Sequence, residues 1–159
     1  MDAYRTPDEH FEGLPGWNFE PRHVEQDGLR MHYVDEGSGD TVLLLHGEPT
    51  WGFLYRKLMP PLLDAGYRCV LPDLPGFGRS DKPTDDRWYS YGNHTRAIVS
   101  LLEELDLRDA TLVMQDWGGP IGFRVATLEA PAPEEHALAY DITEPPQKIV
   151  DDLVTRDSA

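Results

Sequence analysis

The chain has 159 residues, of which 29 are acidic and 14 basic, and its formal net charge is −15. So acidic a surface repels nucleic acids and anionic membranes, and this argues against both as partners. The single cysteine, Cys69, excludes an intrachain disulfide, and no apolar run approaches the about eighteen residues that a membrane helix needs. We expect a cytoplasmic protein. Its scarcity of lysine favours a halophile-like composition, in which salt screens the self-repulsion.

The first part of the chain predicts an N-terminal surface segment (residues 1–20, called the lead-in below), then a hairpin and a buried strand. Residues 1–20 are rich in proline, glycine and acid, which is typical of a segment on the surface. From His23 to Glu36, apolar and polar residues alternate around Asp27-Gly28, a pair typical of hairpin turns. The continuous apolar run from Thr41 to Leu45 predicts a strand that is covered on both faces.

The next segment predicts a helix, a strand and a long loop. Apolar residues between Trp51 and Ala65 recur at helical spacing, and the pair Pro60-Pro61 predicts a break in that helix. Cys69 to Leu71 predicts a second buried strand. Residues 72–85 are dense in proline, glycine and aspartate, which indicates a loop held by its own turns.

A further helix and strand complete an alternating order from residue 41 to 130. Ser90 to Leu105 has apolar residues along one helical face, and Thr111 to Met114 predicts a third buried strand. Strands that alternate with helices predict an α/β fold with a doubly wound, mostly parallel sheet, here preceded by an antiparallel hairpin. In such sheets, ligands bind where the strands end, and both the His46-Gly47-Glu48 turn and Asp116 come at such ends.

The segment from Thr111 to Gly122 has the outline of a nucleophile elbow, in which a sharp strand-to-helix turn exposes one side chain. That side chain would be Asp116, and Gly118 would let the helix approach the strand closely. Pro120 suits a first helical turn. By itself the segment is equally compatible with an aspartate that only caps a helix.

The composition changes near residue 130. We therefore divide the chain into a partial core, residues 1–130, and an acidic, proline-rich tail, residues 131–159. Within the tail, residues 136–142 predict a weak strand and residues 147–154 a short amphipathic helix.

Three segments in this order, HGEPTW at 46–51, LPDLPGFGRSDKPTD at 71–85 and LVMQDWGG at 112–119, resemble the N-terminal half of haloalkane dehalogenases. The resemblance implies the α/β-hydrolase fold. It also implies that Asp116 displaces halide from carbon, that Trp117 binds the departing halide, and that the backbone N–H groups of Trp117 and Glu48 form an oxyanion hole. The substrates would be a small halogenated hydrocarbon and water, with no cofactor and no metal.

The cap, the acid and the histidine base that the resemblance also implies are not recognisable after residue 130. We therefore expect a truncated or frameshifted chain that completes at most a single turnover. Two alternatives remain open: an epoxide hydrolase, which also uses an aspartate elbow, and an inactive remnant that associates through an exposed sheet edge. His46, Asp73 and Asp81 are interpreted as residues that hold loops.

Overall fold

A computed structural model describes residues 1–129, so the strand and helix predicted in the tail lie outside the described residues. Within this range, no helix has the length and apolar character that crossing a membrane requires. The strands are β1 (Ala3–Tyr4), β2 (Arg22–Gln26), β3 (Leu29–Glu36), β4 (Thr41–Leu45), β5 (Arg68–Pro72), β6 (Lys82–Pro83) and β7 (Thr111–Met114). The α-helices are α1 (Met59–Asp64), α2 (Tyr91–Glu104) and α3 (Gly118–Glu129), and short 3-10 helices cover Asp8–Phe11, Gly52–Lys57 and Asp86–Trp88.

Five strands form one mixed sheet in the order β2-β3-β5-β4-β7. The hairpin β2-β3 is antiparallel and joins β5 antiparallel, whereas β4 runs parallel to both β5 and β7. The predicted hairpin followed by three parallel strands is therefore confirmed. Its turn is formed by Asp27 and Gly28, whose positive φ angles of 51° and 76° match the type of turn that such a pair favours.

The two central strands are covered on both faces, as their continuous apolar sequence predicts. Alternate side chains such as Leu43 and Val70 pack with Ile98 of α2 and Ile121 of α3 in one core cluster. On β5 the next residue, Leu71, points to the other face. There its side chain meets the backbone of the 3-10 helix at Gly52, so helical segments cover both sides of the sheet.

The prediction that Pro60-Pro61 breaks a helix is wrong. Both prolines lie inside the first turn of α1, and the interruption occurs earlier, at Leu58, between the 3-10 helix and α1. A first turn tolerates proline because its N–H groups have no intrahelical acceptor. The pair therefore starts the helix.

β7 departs from its prediction in burial, although its bounds match. All four of its residues are only half-buried, whereas Val42 to Leu45 of the neighbouring β4 are buried. Within the described residues β7 pairs with β4 alone, so it forms one end of the sheet and lacks a covering strand on its other side.

The lead-in is more embedded than its composition predicts. Phe11 and Trp17 are buried, and Trp17 makes edge contacts with Trp51 and Phe53, at centroid distances of 5.5 and 5.9 Å. In addition, β1 pairs with β6 of the long loop. Long-range pairing of this kind leaves no periodic signal in a short segment.

Candidate active site

Asp116 occupies the sharp turn between β7 and α3. Its φ angle is 51°, in the left-handed region that residues with a Cβ adopt uncommonly. The backbone N–H of Gly118 donates to the carbonyl of Gln115 at 3.0 Å, and that of Gly119 donates to the carbonyl of Asp116 at 2.9 Å. The turn thereby ends the strand and starts the helix with three residues between them, and it leaves Asp116 exposed.

The parallel pairing of β4 and β7 brings the two predicted motifs together. Leu45 is opposite Met114, and the N–H of Gln115 still donates to the carbonyl of Leu45 at 3.1 Å. The turns that follow the two strands are therefore neighbours. The backbone N–H of Glu48 donates to Oδ1 of Asp116 at 2.9 Å, although 68 residues separate the two in sequence.

The Asp116 carboxylate is held in its charged form by backbone groups. The N–H of Trp117, and next the N–H of Glu48, lower the pKa of Asp116 below its ordinary value of 3.8. Both donors are fixed by the two turns, so they need no rearrangement to stabilise negative charge at this position. The site thus presents an ionised, solvent-accessible carboxylate at neutral pH.

Two glycines permit this close arrangement. A Cβ at Gly47 would lie 2.5 Å from both Cβ and Oδ1 of Asp116. A Cβ at Gly118 would collide with the carbonyl oxygens of Leu45 and His46. The absence of a side chain at each position is therefore a geometric requirement of the contact between the two turns.

Trp117, which follows Asp116 in the chain, and Glu48, whose N–H contacts its carboxylate, line the same small pocket, of about 110 Å³. Trp117 is 48% exposed, and Glu48 is also exposed. Leu74 and Phe77, from the loop after β5, supply apolar walls. The structure thus places all three predicted site residues together, while their roles in binding or chemistry stay predictions.

His46 is engaged in holding the loops, in agreement with its interpretation from sequence. It is fully buried, and its Nδ1–H donates to the carbonyl of Gly47 at 3.0 Å while Nε2 accepts from the N–H of Leu74 at 2.9 Å. Burial lowers the pKa of His46. With both ring nitrogens used, this neutral imidazole connects the turn after β4 to the loop after β5.

Asp73 anchors the same loop from beneath. Its buried carboxylate accepts from the N–H groups of Gly52 and Arg79, each at 2.8 Å, and from Nδ1 of His32 at 2.9 Å. Burial alone would raise the pKa of Asp73, but hydrogen bonding and the charge of His32 outweigh it, and the pKa is lowered. Asp81 likewise accepts from the backbone N–H of Arg30, so both aspartates hold loops.

Sequence reasoning missed His94, which lines the pocket together with Glu48 and Trp117. The available signal was its position on the buried face of α2, four residues before Ile98 and seven before Leu101. A histidine on an apolar helix face does not by itself indicate a site. Within residues 1–129, no group of three histidine, cysteine, aspartate or glutamate side chains is arranged to hold a metal ion.

Comparisons with known proteins agree with this fold. Residues 40–136 match the family model of the alpha/beta hydrolase fold. The chain is 52% identical to a haloalkane dehalogenase of Psychrobacter cryohalolentis over 132 residues, and 54% identical to haloalkane dehalogenase 1 of Mycobacterium tuberculosis over 143 residues. Each match covers 79% of this chain and 44% of the relative.

Solved structures of a haloalkane dehalogenase and of an epoxide hydrolase are similar to this chain in fold. The tetrameric haloalkane dehalogenase of Paraglaciecola agarilytica is 46% identical, with a TM-score of 0.77, over 80% of this chain and 45% of that one. An epoxide hydrolase of Vigna radiata is 35% identical, with a TM-score of 0.65, over 69% of this chain and 35% of that one. The chain thus spans less than half of the length of these proteins. It belongs to the α/β-hydrolase fold family, and within that family it is similar to the haloalkane dehalogenases.

Proposed function

We propose that this chain carries out nucleophilic displacement of halide from a short haloalkane, as the first step of a haloalkane dehalogenase reaction. An oxygen of Asp116 forms a bond to the halogen-bearing carbon, and the carbon–halogen bond breaks with its electron pair leaving as halide. The product is an alkyl ester on Asp116. The observation that supports this proposal is an exposed, ionised carboxylate on a strained turn, hydrogen-bonded by backbone N–H groups and next to Trp117.

The chemistry suits an aspartate because the nucleophile needs no activation by a base. Serine must lose its proton before it attacks, whereas a carboxylate is already ionised. Trp117 has an indole N–H that only donates, which suits a departing halide ion. After esterification the remaining carbonyl oxygen stays near the N–H groups of Glu48 and Trp117, where charge develops if water attacks the ester.

The first prediction concerns the ester itself. Incubation with 1-bromobutane is expected to add one butyl group to the peptide that carries Asp116, as measured by intact mass and peptide mapping. Asp116→Asn removes the charged nucleophile and is expected to lower the rate at least about 10³-fold. Asp106→Asn is a matched control, because Asp106 also has a positive φ angle, 45°, but is not part of the site. A folded protein without an adduct, or with one elsewhere, would contradict the proposal.

The pH dependence of this alkylation follows from the pKa of Asp116. Its pKa is lowered, so the reactive carboxylate is fully present above the ordinary value and is lost only as pH falls through the lowered pKa. We expect an alkylation rate that is constant between about pH 5 and 8, since an unperturbed aspartate already titrates near 4. A rate that rises with pH through this range would indicate a base that activates the nucleophile, and would count against the mechanism.

We further propose that the ester accumulates, so that the chain releases about one halide ion per protein. Within residues 1–129 no imidazole hydrogen-bonds to the Asp116 carboxylate, and His46 uses both nitrogens elsewhere. Water attack on an ester without a positioned base is slow. Halide measured over time would show a stoichiometric burst, whereas sustained release would disprove the accumulation.

Epoxide hydrolysis is the competing enzymatic function, and the structural likeness to the Vigna radiata epoxide hydrolase favours testing it. Ring opening leaves an alkoxide, which must receive a proton from a nearby acid. Incubation with 1,2-epoxybutane is expected to give no adduct within the time that 1-bromobutane reacts. If the epoxide reacted faster than 1-bromobutane, epoxide hydrolysis would replace halide displacement as the favoured function.

A partner-dependent role is the non-enzymatic alternative, and the end position of β7 in the sheet that residues 1–129 form favours it. An unpaired strand edge can accept a strand from another copy. Light scattering would show dimers or larger assemblies if this edge pairs, whereas a compact monomer at all concentrations would exclude obligatory pairing. The cytoplasmic location and the absence of nucleic-acid binding remain predictions from composition.

A further inference from the structure

The pocket beside Asp116 is lined by four polar side chains that the proposed reaction does not use: Tyr89, Ser90, Tyr91 and His94. Glu48 and Trp117, the two neighbours of the nucleophile, also line it, and Leu74, Phe77 and Ile121 supply apolar surface. The hydroxyls of Tyr89 and Tyr91 donate to backbone carbonyls, and Ser90 Oγ accepts from a backbone N–H at the start of α2. His94, in the first turn of α2, instead has an unpartnered ring nitrogen, Nδ1. His94 is therefore the candidate for a directional contact with a substrate.

The imidazole of His94 is buried and lacks a complete set of partners. The residue is 8% exposed, and its ring is fixed by an edge contact with Trp88 at a centroid distance of 5.2 Å. Nδ1 is shielded from solvent and has no hydrogen-bond partner among the groups that the structure describes. The small exposed part of the residue is therefore not at Nδ1.

The burial of His94 and the missing partner at Nδ1 indicate the protonation state and tautomer of its ring. Burial, with a smaller contribution from His46, lowers the pKa of His94 to about 4, so the ring is neutral near pH 7. A neutral imidazole has one N–H donor and one acceptor nitrogen. A buried N–H without an acceptor is rarer in proteins than an incompletely used acceptor, so the proton belongs on Nε2 and the lone pair on Nδ1. His94 thus has a donor to offer at Nε2.

We infer that His94 is a specificity residue that donates a hydrogen bond from Nε2 to an oxygen of the substrate, so that the site prefers haloalkanes with an oxygen close to the reacting carbon. This inference rests on the proposed function, because it concerns the substrate of the same pocket. The volume of about 110 Å³ sets the size. A cavity of about 150 Å³ holds benzene, so this pocket accommodates about four to five heavy atoms.

The proposed contact is tested by comparing the alkylation rates of two bromides of equal size, of which only one contains an oxygen. 2-Bromoethanol and 1-bromopropane have the same number of heavy atoms, and a hydroxyl in one replaces a methyl in the other. The wild-type chain is expected to form the Asp116 ester faster with 2-bromoethanol, after correction for the reaction of each bromide with free acetate. His94→Leu is expected to lower this ratio of rate constants about tenfold, the effect of one hydrogen bond.

Two further variants separate a specific contact from a structural role. His94→Gln keeps an N–H donor and is expected to retain most of the preference. His10→Gln is the matched control, because His10 is exposed and does not line the pocket, and its ratio is expected to equal that of the wild type. A purely structural His94 would change both rate constants equally. An identical ratio in wild type and His94→Leu would overturn the inference.

A binding measurement distinguishes failure of this inference from failure of the proposed function. In the Asp116→Asn variant, labelled with ¹⁵N-histidine, 2-bromoethanol is expected to shift the Nε2 resonance of His94, whereas 1-bromopropane is expected to leave it in place. Such a shift without alkylation of the wild type would support the contact and refute the proposed function. Alkylation with equal shifts from both bromides would overturn the contact and leave the function standing. Because this measurement uses protein in which His94 is unchanged, it tests the proposed contact even if the His94→Leu variant fails to fold.

Discussion

The strained backbone of Asp116 shows how a single residue creates the site. A positive φ angle costs a residue with a Cβ on the order of 1–3 kcal/mol, although aspartate tolerates it better than most. In return, the chain reverses at the strand end and the carboxylate projects from the sheet edge. The backbone N–H groups of Glu48 and Trp117 then meet it.

At the residue scale, Gly47 offers the most direct test of this geometry. A Cβ at position 47 would approach Oδ1 of Asp116 to 2.5 Å and the carbonyl oxygen of Gln115 to 2.7 Å. Gly47→Ala must therefore displace the carboxylate. We expect the alkylation rate to fall by about 10²-fold, the size of effect that a displacement of roughly 1 Å produces.

Gly119→Ala is the control for this prediction. Gly119 lies three residues from Asp116, yet an added Cβ there meets nothing within 4 Å. Its alkylation rate is expected to stay within about twofold of the wild type, with circular dichroism to verify folding. Equal rates for Gly47→Ala and the wild type would show that the turn after β4 does not position Asp116.

At the scale of elements, the start of α3 is pressed against the end of β4. Gly118 is buried, and a Cβ there would collide with backbone oxygens, which cannot rotate away as a side chain does. Gly118→Ala is expected to lower the free energy of unfolding by about 1–3 kcal/mol, the usual cost of overpacking. Urea denaturation measures this change.

For the neighbouring Gly119, we predict a change in the free energy of unfolding of the opposite sign. Gly119 is in the same helix without a positive φ angle, so Gly119→Ala is expected to stabilise by about 0.4–1 kcal/mol through the lower entropy of the unfolded chain. If both alanine variants changed stability equally, close packing between α3 and β4 would not explain the glycine at position 118.

Elements also show where local sequence stops being informative. The bounds of β4 and β7 match their predictions because apolar runs bounded by turns mark strands. The position of Pro60 and Pro61 in the helix could not be predicted from their sequence, since proline breaks a helix interior and is tolerated in a first turn. Which applies depends on where the helix begins, and packing decides that.

At the scale of the whole molecule, the net charge of −15 produces long-range electrostatic repulsion. Repulsion among surface carboxylates opposes compaction, and its range shrinks from about 10 Å at 0.1 M salt to about 3 Å at 1 M. We expect the midpoint of thermal unfolding to rise by about 3 °C or more between these concentrations, which corresponds to roughly 1 kcal/mol.

Sodium and potassium chloride provide the control for this prediction. Screening depends on ionic strength, so the two salts are expected to raise the midpoint equally. A rise with only one cation would indicate a specific ion site. A fall with both would show that ion pairs such as Arg68–Asp35 outweigh the repulsion, and would refute the halophile-like interpretation.

The amino-acid order was enough to predict the hairpin, the three parallel strands and the elbow, because each leaves a local pattern of apolar spacing or turn residues. The choice of Trp117 and Glu48 beside Asp116 came from the resemblance to haloalkane dehalogenases, and their roles stay predictions. The amino-acid order did not predict the burial of Phe11 and Trp17, the half-exposed β7, or His94 in the pocket. These depend on which segments meet across the fold, and contacts between distant segments leave no periodicity in either one. The hydrogen bond from Glu48 to Asp116 exists for the same reason: parallel pairing of β4 and β7 brings the turns that follow them within 2.9 Å of each other.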